Sequence, residues 1–360
     1  MPNEIIVAAA GGGKTTRIVA RALTDPACRA ALVTYTTNNV SELHQRLYQA
    51  GPVVPAHVEV WSWYRFLLQE LIRPYRQALL VQRVDGVQFV DARSARFAKK
   101  TDVAKYFLSD GGRLVYSDKI SELALEINKA SRGAVLARLA ERFKTLFIDE
   151  IQDMAGYDLD LVETFLNSGI NIVLVGDHRQ ATFRTNNSPR NKAFSGKNII
   201  GKFRAWDKAK LATLSYERET HRCHQRIADL ADAIFPDEPS TISLNKTDTG
   251  HDGIFALKRA DVAQYVQRFS PRILRLDRRT DCGGHDAMNF GDSKGMTFER
   301  VLIFPHKKGQ HWLRTGDLSH IEGSASKLYV GITRARHSVT FVFDGDCALV
   351  EVSHFDPVGE

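Results

Sequence analysis

Residues 4–15 read EIIVAAAGGGKT, and this stretch decides the fold. An apolar run typical of a buried strand leads into six small residues, then into Lys14 and Thr15. Small residues let backbone N–H groups surround phosphate oxygens, while the lysine reaches the β- and γ-phosphates and the threonine hydroxyl binds Mg²⁺. The helix that follows adds the positive end of its dipole. We therefore predict a triphosphate site formed by Ala10, Gly11, Gly12, Gly13, Lys14, Thr15, Thr16 and Arg17.

A second motif separates hydrolases from kinases. Residues 145–153 read TLFIDEIQD, which predicts a short buried strand that ends at Asp149 and Glu150. We expect Asp149 to hold Mg²⁺ together with Thr15, and Glu150 to polarise an attacking water. A water-activating glutamate indicates hydrolysis rather than transfer to another substrate.

A third motif follows another predicted buried strand. Residues 171–177 read NIVLVGD and are followed by His178, Arg179 and Gln180. A glutamine just beyond a strand end can contact the γ-phosphate and relay its presence to the next segment. We therefore count Gln180 among the catalytic residues.

The order of these three motifs resembles that of superfamily 1 DNA helicases of the UvrD/Rep type. The resemblance implies ATP and Mg²⁺ as cofactors and single-stranded or tailed duplex DNA as the partner. It continues through five further segments, at 31–36, 58–66, 220–222, 290–298 and 328–336. By this resemblance the DNA-contact residues are Tyr35, Thr36, Trp63, Phe66, Phe183, Ser293 and Lys294.

The resemblance also implies two arginines at the γ-phosphate, Arg222 and Arg334. Hydrolysis spreads negative charge over the γ-phosphoryl oxygens, so a guanidinium delivered there stabilises the transition state. If these arginines belong to a second domain, closure of the two domains and hydrolysis become one event.

The predicted fold class is α/β, with two RecA-like P-loop domains built on parallel sheets. The first domain comprises residues 1–66 and 141–204, and the second comprises 205–360. A small accessory insertion is expected at 67–140, where helical spacing predicts helices over Ile120–Ala130 and Ala134–Phe143. Predicted strands of the first sheet lie near 4–8, 30–35, 57–60, 145–149 and 171–175. Those of the second lie at Gly253–Lys258, Ile273–Leu276, Val301–Pro305 and Val339–Phe343.

The chain departs from the UvrD/Rep pattern in several respects, of which two bear on its domain organisation and its binding of DNA. Only about 70 residues separate Arg222 from Ser293, where large members insert a regulatory domain, so we expect this second accessory domain to be reduced or absent. Thr185 stands where the family often has a second stacking aromatic, which is worth roughly 1–3 kcal/mol per base. We therefore expect single-stranded DNA to bind more weakly or in a different geometry.

Composition agrees with a nucleic-acid partner. The 360 residues carry a formal charge of +7 and a pI near 9.2, which suits a polyanionic ligand. The four cysteines are scattered without a C-x-x-C pair, as expected in a reducing compartment. No apolar run approaches the length of a membrane span, and no leader precedes the first strand. We expect a cytoplasmic protein without a membrane partner.

Three hypotheses of function remain open at this point. The first is a DNA-dependent ATPase that acts as a 3′–5′ helicase or translocase. The second is a non-unwinding DNA-sensing ATPase that controls a partner nuclease, because segments 157–160, 288–295 and 332–337 resemble the helicase-like subunit of Gabija-type antiphage defence systems. The third is a P-loop protein that does not act on nucleic acid, such as a small-molecule kinase.

Overall fold

The computed structural model describes residues 3–109, 111–349 and 352–356. Contacts divide the chain into two compact units. The first unit contains residues 1–7, 14–178 and 183–215, and the second contains 8–13, 179–182 and 216–360.

Sixteen strands are found in the described part of the chain. They are β1 (Glu4–Ala8), β2 (Ala30–Thr34), β3 (Val58–Ser62), β4 (Gly86–Gln88), β5 (Leu114–Tyr116), β6 (Thr145–Ile148), β7 (Asn171–Gly176), β8 (Thr213–Glu217), β9 (Glu219–Thr220), β10 (Ile242–Ser243), β11 (Gly253–Leu257), β12 (Arg272–Arg275), β13 (Met288–Asn289), β14 (Phe298–Phe304), β15 (Ala335–Val342) and β16 (Val352–His354).

Twelve α-helices are found in the same residues. They are α1 (Lys14–Leu23), α2 (Thr37–Ala50), α3 (Trp63–Phe66), α4 (Val103–Phe107), α5 (Ile120–Ala130), α6 (Ala134–Arg142), α7 (Tyr157–Leu166), α8 (Ile199–Lys208), α9 (Gln225–Asp232), α10 (Val262–Phe269), α11 (Lys307–Thr315) and α12 (Ala325–Ile332).

The first sheet has the strand order β3-β2-β6-β7-β1-β8. Its central strands pair in parallel, with Ile5 beside Leu174 and Leu32 beside Phe147. Every residue of β2 and β7 is buried, as expected for apolar runs in a parallel sheet covered on both faces. Because parallel strands end at the same edge, Asp149 and Asp177 follow β6 and β7 at one edge of this sheet.

The insertion between β3 and β6 contains a π-helical turn (Leu67–Ile72), the β4-β5 pair and helices α4 to α6. An ion-pair cluster attaches it to the sheet. The buried Glu70 pairs with Arg138 at 3.2 Å and with Arg142 at 2.5 Å, and Arg142 also reaches Glu59 of β3 at 2.8 Å. A buried carboxylate needs such partners because its desolvation is costly.

The second sheet is parallel throughout, in the order β13-β12-β14-β15-β11-β16. Helices α9, α11 and α12 pack on it through apolar side chains such as Ile227, Trp312 and Tyr329. The segments predicted to bind DNA and to carry an arginine at the γ-phosphate, 290–297 and 328–334, directly precede β14 and β15. They therefore lie at the amino edge of this sheet.

The predicted α/β class with two parallel sheets is confirmed. All nine predicted core strands are present within a few residues of their expected bounds, and helix α5 has the predicted bounds. The second domain and its sheet were expected to start at about residue 205, but β8 (Thr213–Glu217) belongs to the first sheet, beside β1. The residues at which the units divide therefore differ from the predicted ones.

No helix in the described ranges is long and apolar enough to span a membrane.

Candidate nucleotide and nucleic-acid sites

The glycine turn after β1 has a conformation that only glycine adopts easily. Gly11 has φ +79° and Gly13 has φ +75°, in the left-handed region where a Cβ is disfavoured. A Cβ on Gly11 would also lie 2.6 Å from the Arg222 Cβ, and one on Gly12 would lie 2.8 Å from the Glu219 carbonyl oxygen. Both the backbone angle and the close approach therefore require glycine here.

The same turn contacts the segment that contains Arg222. The Thr220 hydroxyl donates to the Ala10 carbonyl at 2.6 Å, and the His221 N–H donates to the Gly11 carbonyl at 3.2 Å. These contacts lie within the second unit. Two motifs separated by about 200 residues in the sequence are thus brought together.

Thr15 and Asp149 form the pair predicted to bind Mg²⁺. The Thr15 hydroxyl lies at the start of α1 and donates to Asp149 Oδ2 at 3.2 Å. Asp149 is 2% exposed, and its pKa is raised to about 7 by burial and by the neighbouring Glu150, while Lys14 opposes the shift. A hydroxyl and a carboxylate are hard oxygen ligands of the kind Mg²⁺ prefers, so this donor set fits the ion.

Glu150 is held in an unusual backbone conformation beside Asp149. Its φ of 56° is left-handed and costs free energy for a residue with a Cβ. Its N–H donates to Asp149 Oδ1 at 2.9 Å, and its carboxylate accepts a hydrogen bond from the Gln152 side-chain amide. These contacts fix the orientation of Glu150 relative to the candidate metal ligand.

Gln152 connects this carboxylate to the end of β7. Its Oε1 accepts the Asp177 N–H at 3.0 Å, and a Cβ on Gly176 would lie only 2.2 Å from that oxygen. Gln152 is buried. We did not assign it a role from the sequence, although its place in the DEIQD motif was the available signal.

Gln180 and Arg334 contact each other within the second unit. Arg334 is 1% exposed and donates from Nη2 to Gln180 Oε1 at 3.0 Å. Its Nε and Nη1 donate to the carbonyls of Val330 and Met296. The Arg222 guanidinium donates to the Thr333 carbonyl at 3.1 Å. The structure therefore brings Gln180 next to Arg334. It also brings Arg222 next to Thr333, the residue before Arg334.

The predicted DNA-contact residue Tyr35 belongs to a row of three aromatic rings in the first unit. The Tyr35 ring lies 5.7 Å from that of Tyr64, which lies 5.3 Å from that of Phe89. Phe89 is 67% exposed. We call Tyr35, Tyr64 and Phe89 the aromatic row. Tyr64 and Phe89 were not predicted from the sequence to contact DNA, and the signal for Phe89 was an aromatic residue in the polar insertion.

Three other predicted DNA-contact residues remain candidates. Phe183 is 39% exposed. The Thr36 hydroxyl caps α2 by accepting the Asn39 N–H at 3.2 Å. Lys294 is half-buried just before β14.

Trp63, Phe66 and Ser293 are corrected to structural residues. The two aromatic side chains are 0% exposed, and a base needs an open ring face to stack on. The Trp63 indole N–H donates to Asp158 Oδ1 at 3.2 Å. Ser293 is also 0% exposed, and its hydroxyl donates to the Phe290 carbonyl at 2.8 Å.

Thr185, which stands where similar motifs often have a stacking aromatic, is part of a buried polar network. Its hydroxyl donates to Asp158 and accepts the Ala155 N–H at 3.1 Å. Its carbonyl accepts the Tyr64 hydroxyl at 2.5 Å. This position therefore supports the aromatic row instead of adding a ring to it.

Comparison with known proteins gives one family match. Residues 98–190 match the family described as UvrD/REP helicase N-terminal domain. This range includes Asp149, Glu150 and Gln180, and it covers about a quarter of the chain. A search of curated proteins finds no match.

Two solved structures of an arterivirus helicase are distantly similar to this chain. Arterivirus nonstructural protein 10 (helicase) with DNA is 15% identical over 95% of this chain and 60% of its own, with a TM-score of 0.49. The same arterivirus protein in a structure titled without DNA is 14% identical over 94% and 59%, with a TM-score of 0.46. The chain thus spans about 60% of the length of these proteins. At such identities and TM-scores they assign no activity to it.

Proposed function

We propose that this chain is an ATPase of the UvrD/Rep helicase type that single-stranded DNA stimulates and that moves along DNA in the 3′–5′ direction. The observation that best supports it is the Thr15–Asp149 contact of 3.2 Å, with Glu150 oriented beside it by Gln152. This arrangement lies partly in the range that matches the UvrD/REP family. Kinases have no need of the oriented glutamate.

Each residue of the site has a role that follows from its chemistry. The glycine turn and Lys14 bind the phosphates, and Thr15 and Asp149 would hold Mg²⁺. When bound, the ion neutralises charge on the phosphate oxygens. Glu150 accepts a proton from the attacking water, and a general base of this kind typically contributes about 10²–10⁴-fold.

Two arginines complete the proposed site. We propose that Arg222 and Arg334 stabilise the charge that develops on the γ-phosphate of the same ATP. The contact of Arg222 with the turn at Gly11 supports this role, because the turn is the expected place of the phosphates. The Gln180–Arg334 hydrogen bond offers a route by which the γ-phosphate affects the DNA-contact residue Phe183, three residues further along the chain.

DNA would stack on Tyr35 and Phe89, the accessible rings of the aromatic row, and on Phe183, while the buried Tyr64 supports the other two rings of the row. Exposed rings stack on bases without regard to sequence, and a net charge of +7 favours a polyanion. Sequence-independent contact is what a translocating protein requires.

The test is phosphate release from ATP and Mg²⁺ with and without single-stranded DNA. We expect DNA to raise the rate, Lys14→Ala to abolish it, and Glu150→Gln to lower it at least ~100-fold. Glu141→Gln, an exposed glutamate on α6, is the matched control and should behave like the unmodified chain. Equal activity of Glu150→Gln and Glu141→Gln would rule out the assigned base.

The second candidate is an ATPase that senses DNA and controls a partner nuclease in antiphage defence. It is favoured by the segment from Arg222 to Ser293, whose described elements (α9, β10, β11, α10, β12 and β13) all belong to the second unit and leave no separate accessory domain there. Strand separation distinguishes the two candidates. A helicase separates a tailed duplex while it hydrolyses ATP, whereas the sensor hydrolyses ATP in response to DNA and separates no strands at saturating protein.

A further inference from the structure

Lys119 lies at a position that is energetically unfavourable for a positive charge. It is 3% exposed, and burial lowers its pKa. It is also the N-cap residue of α5, and the N-terminus of a helix carries a partial positive charge. A cation buried at this end of a helix costs free energy unless an anion compensates for it.

The Lys119 ammonium lacks an oxygen acceptor. Its contact is with the ring of Tyr106, whose centroid lies 3.7 Å from Nζ. Across the residues that the structure describes, it makes no hydrogen bond or ion pair. The charges of Asp118 and Glu122 oppose the lowering of the Lys119 pKa, but the oxygens of these carboxylates accept hydrogen bonds from other groups. Asp118 accepts the Ser94 N–H at 2.9 Å and the Ser94 hydroxyl at 2.6 Å, and Glu122 accepts Lys100 and the Tyr106 hydroxyl.

A cavity of about 280 Å³ adjoins this ammonium. Cationic side chains outnumber carboxylates in its lining. The cations are Arg93, Lys100, Lys119 and Arg190, and the carboxylates are Asp118 and Glu122. Lys100 pairs with Glu122, and Arg190 pairs at 2.7 Å with Asp160 outside the lining. A phosphate group would supply the oxygen acceptors that Lys119 lacks, and the dipole of α5 would add to the attraction.

The cavity lies close to the aromatic row. Arg93 follows Phe89 by four residues, a separation of at most ~14 Å. The intervening chain is fixed, because the Val90 N–H donates to the Ser117 hydroxyl at 3.1 Å and Asn187 donates to the Asp91 carbonyl at 3.1 Å. A strand whose bases stack on the row would therefore have phosphates within reach of the cavity.

We infer that this cavity binds a phosphate group of single-stranded DNA, with the Lys119 ammonium as its buried ligand. The inference rests on the proposed function and extends the DNA-contact surface into the insertion. The phosphate is either one of the backbone or the terminal 5′-phosphate, and both present the same oxygens to Lys119.

The test compares Lys119→Met with Lys129→Met, which alters an exposed lysine of the same helix α5. Binding of a short single-stranded oligonucleotide is followed by fluorescence anisotropy at several salt concentrations. We expect Lys119→Met to bind about 3- to 10-fold more weakly, whatever the base sequence, with a log–log salt slope smaller by about 0.7. Lys119→Arg should restore the slope, and Lys129→Met should not change it.

Oligonucleotides with and without a 5′-phosphate identify the source of the phosphate. If the terminal phosphate is the ligand, the unmodified chain prefers the phosphorylated strand and Lys119→Met does not. If a backbone phosphate is the ligand, Lys119→Met binds both strands more weakly by the same factor. Either result supports the inference.

Inorganic phosphate provides a measurement on the unmodified chain. It should raise the Tm relative to chloride of equal ionic strength, and Lys119→Met should show a smaller rise, since the glycine turn still binds phosphate in this variant. If Lys119→Met folds poorly, the absence of a rise in the unmodified chain overturns the inference.

The failure of the inference and the failure of the proposed function give different results. Wild-type affinity and salt slope in Lys119→Met, together with ATP hydrolysis stimulated by DNA, overturn the phosphate cavity and leave the proposed function intact. Absence of DNA binding and of stimulation in the unmodified chain overturns both.

Discussion

Single residues in this protein show chemistry that a sequence pattern does not reveal. Glu150 was predicted as the base, but its left-handed backbone and its tie to Gln152 are properties of the folded chain. Such strained positions persist only when surrounding contacts hold them, and they cluster at functional sites. The strain at Glu150 is therefore consistent with the role proposed for it.

His251 is a half-buried imidazole outside the proposed ATP site. Its ring stacks on those of Phe255 and Phe269, with centroids 4.0 and 3.9 Å away. Its Nε2 lies 2.8 Å from the Tyr265 hydroxyl. Burial, followed by the charge of Arg300, lowers the pKa of His251 to about 4, so the folded chain holds this ring neutral.

We predict that His251 reduces stability as the pH falls. Its pKa is near 6.5 when unfolded and about 4 when folded, so between these values the unfolded state binds more protons. The free energy of unfolding then decreases as the pH falls from about 6.5 to 4. His251→Phe should retain the stacking and show a shallower loss of Tm over this interval. If the curves of Tm against pH stay parallel for the unmodified chain and His251→Phe, His251 does not cause this loss of stability.

Prediction from sequence can place residues whose position depends on local spacing. Lys14, Thr15 and Asp149 follow strands directly, and the strand ends place Thr15 and Asp149 in contact. It failed for Trp63 and Phe66, because an aromatic residue in a DNA-contact motif has the same sequence signature whether it faces DNA or the core. Only burial distinguishes the two.

At the scale of elements, the carboxylate of Asp158 joins parts of the first unit. It accepts hydrogen bonds from Trp63 at the start of α3, Ser121 of α5 and Thr185 of the loop after β7. Asp158 is 1% exposed, and burial raises its pKa. Because a buried carboxylate needs its donors, each of them stabilises the attachment of the insertion.

We predict that Trp63→Phe lowers the free energy of unfolding by about 1–3 kcal/mol, since it removes one donor to the buried Asp158. Trp61→Phe is the matched control. The Trp61 indole N–H is buried, and no hydrogen-bond partner for it is seen in the described chain. Denaturant unfolding of both variants measures the difference. An equal loss of stability in the two would show that the Trp63 hydrogen bond contributes nothing.

Elements with strong patterns were predicted well, and short edge elements were not. Helix α5 has the predicted bounds, and α6 ends one residue early. Strands β8, β13 and β16 were not predicted. The last two have only two and three residues and lie at the edges of their sheet, where tertiary pairing rather than local preference produces a strand.

For the chain as a whole, we propose that residues distant in sequence bind and hydrolyse one ATP. Lys14, Glu150, Arg222 and Arg334, the residues proposed for it, are spread over about 320 residues of the sequence. The order of motifs along the chain could predict this set. The sequence could not show that Gln180 and the turn at Gly11 belong by their contacts to the second unit, because that depends on long-range packing.

We predict that Arg334→Ala lowers the rate of DNA-stimulated ATP hydrolysis by about 10³–10⁵-fold, in line with other arginines that stabilise a phosphoryl transition state. Arg336→Ala, two residues away and exposed, should leave the rate nearly unchanged. Nucleotide binding by Arg334→Ala, followed with a fluorescent ATP analogue, should persist. If both variants hydrolyse ATP at the original rate, Arg334 does not contact the reacting phosphate.

The most direct measurement is the rate of phosphate release by the unmodified chain at saturating ATP and Mg²⁺, titrated with single-stranded DNA. The proposed function predicts a low rate without DNA that rises about tenfold or more and saturates, since bound DNA favours the state that hydrolyses ATP. A rate that stays the same at every DNA concentration would contradict it.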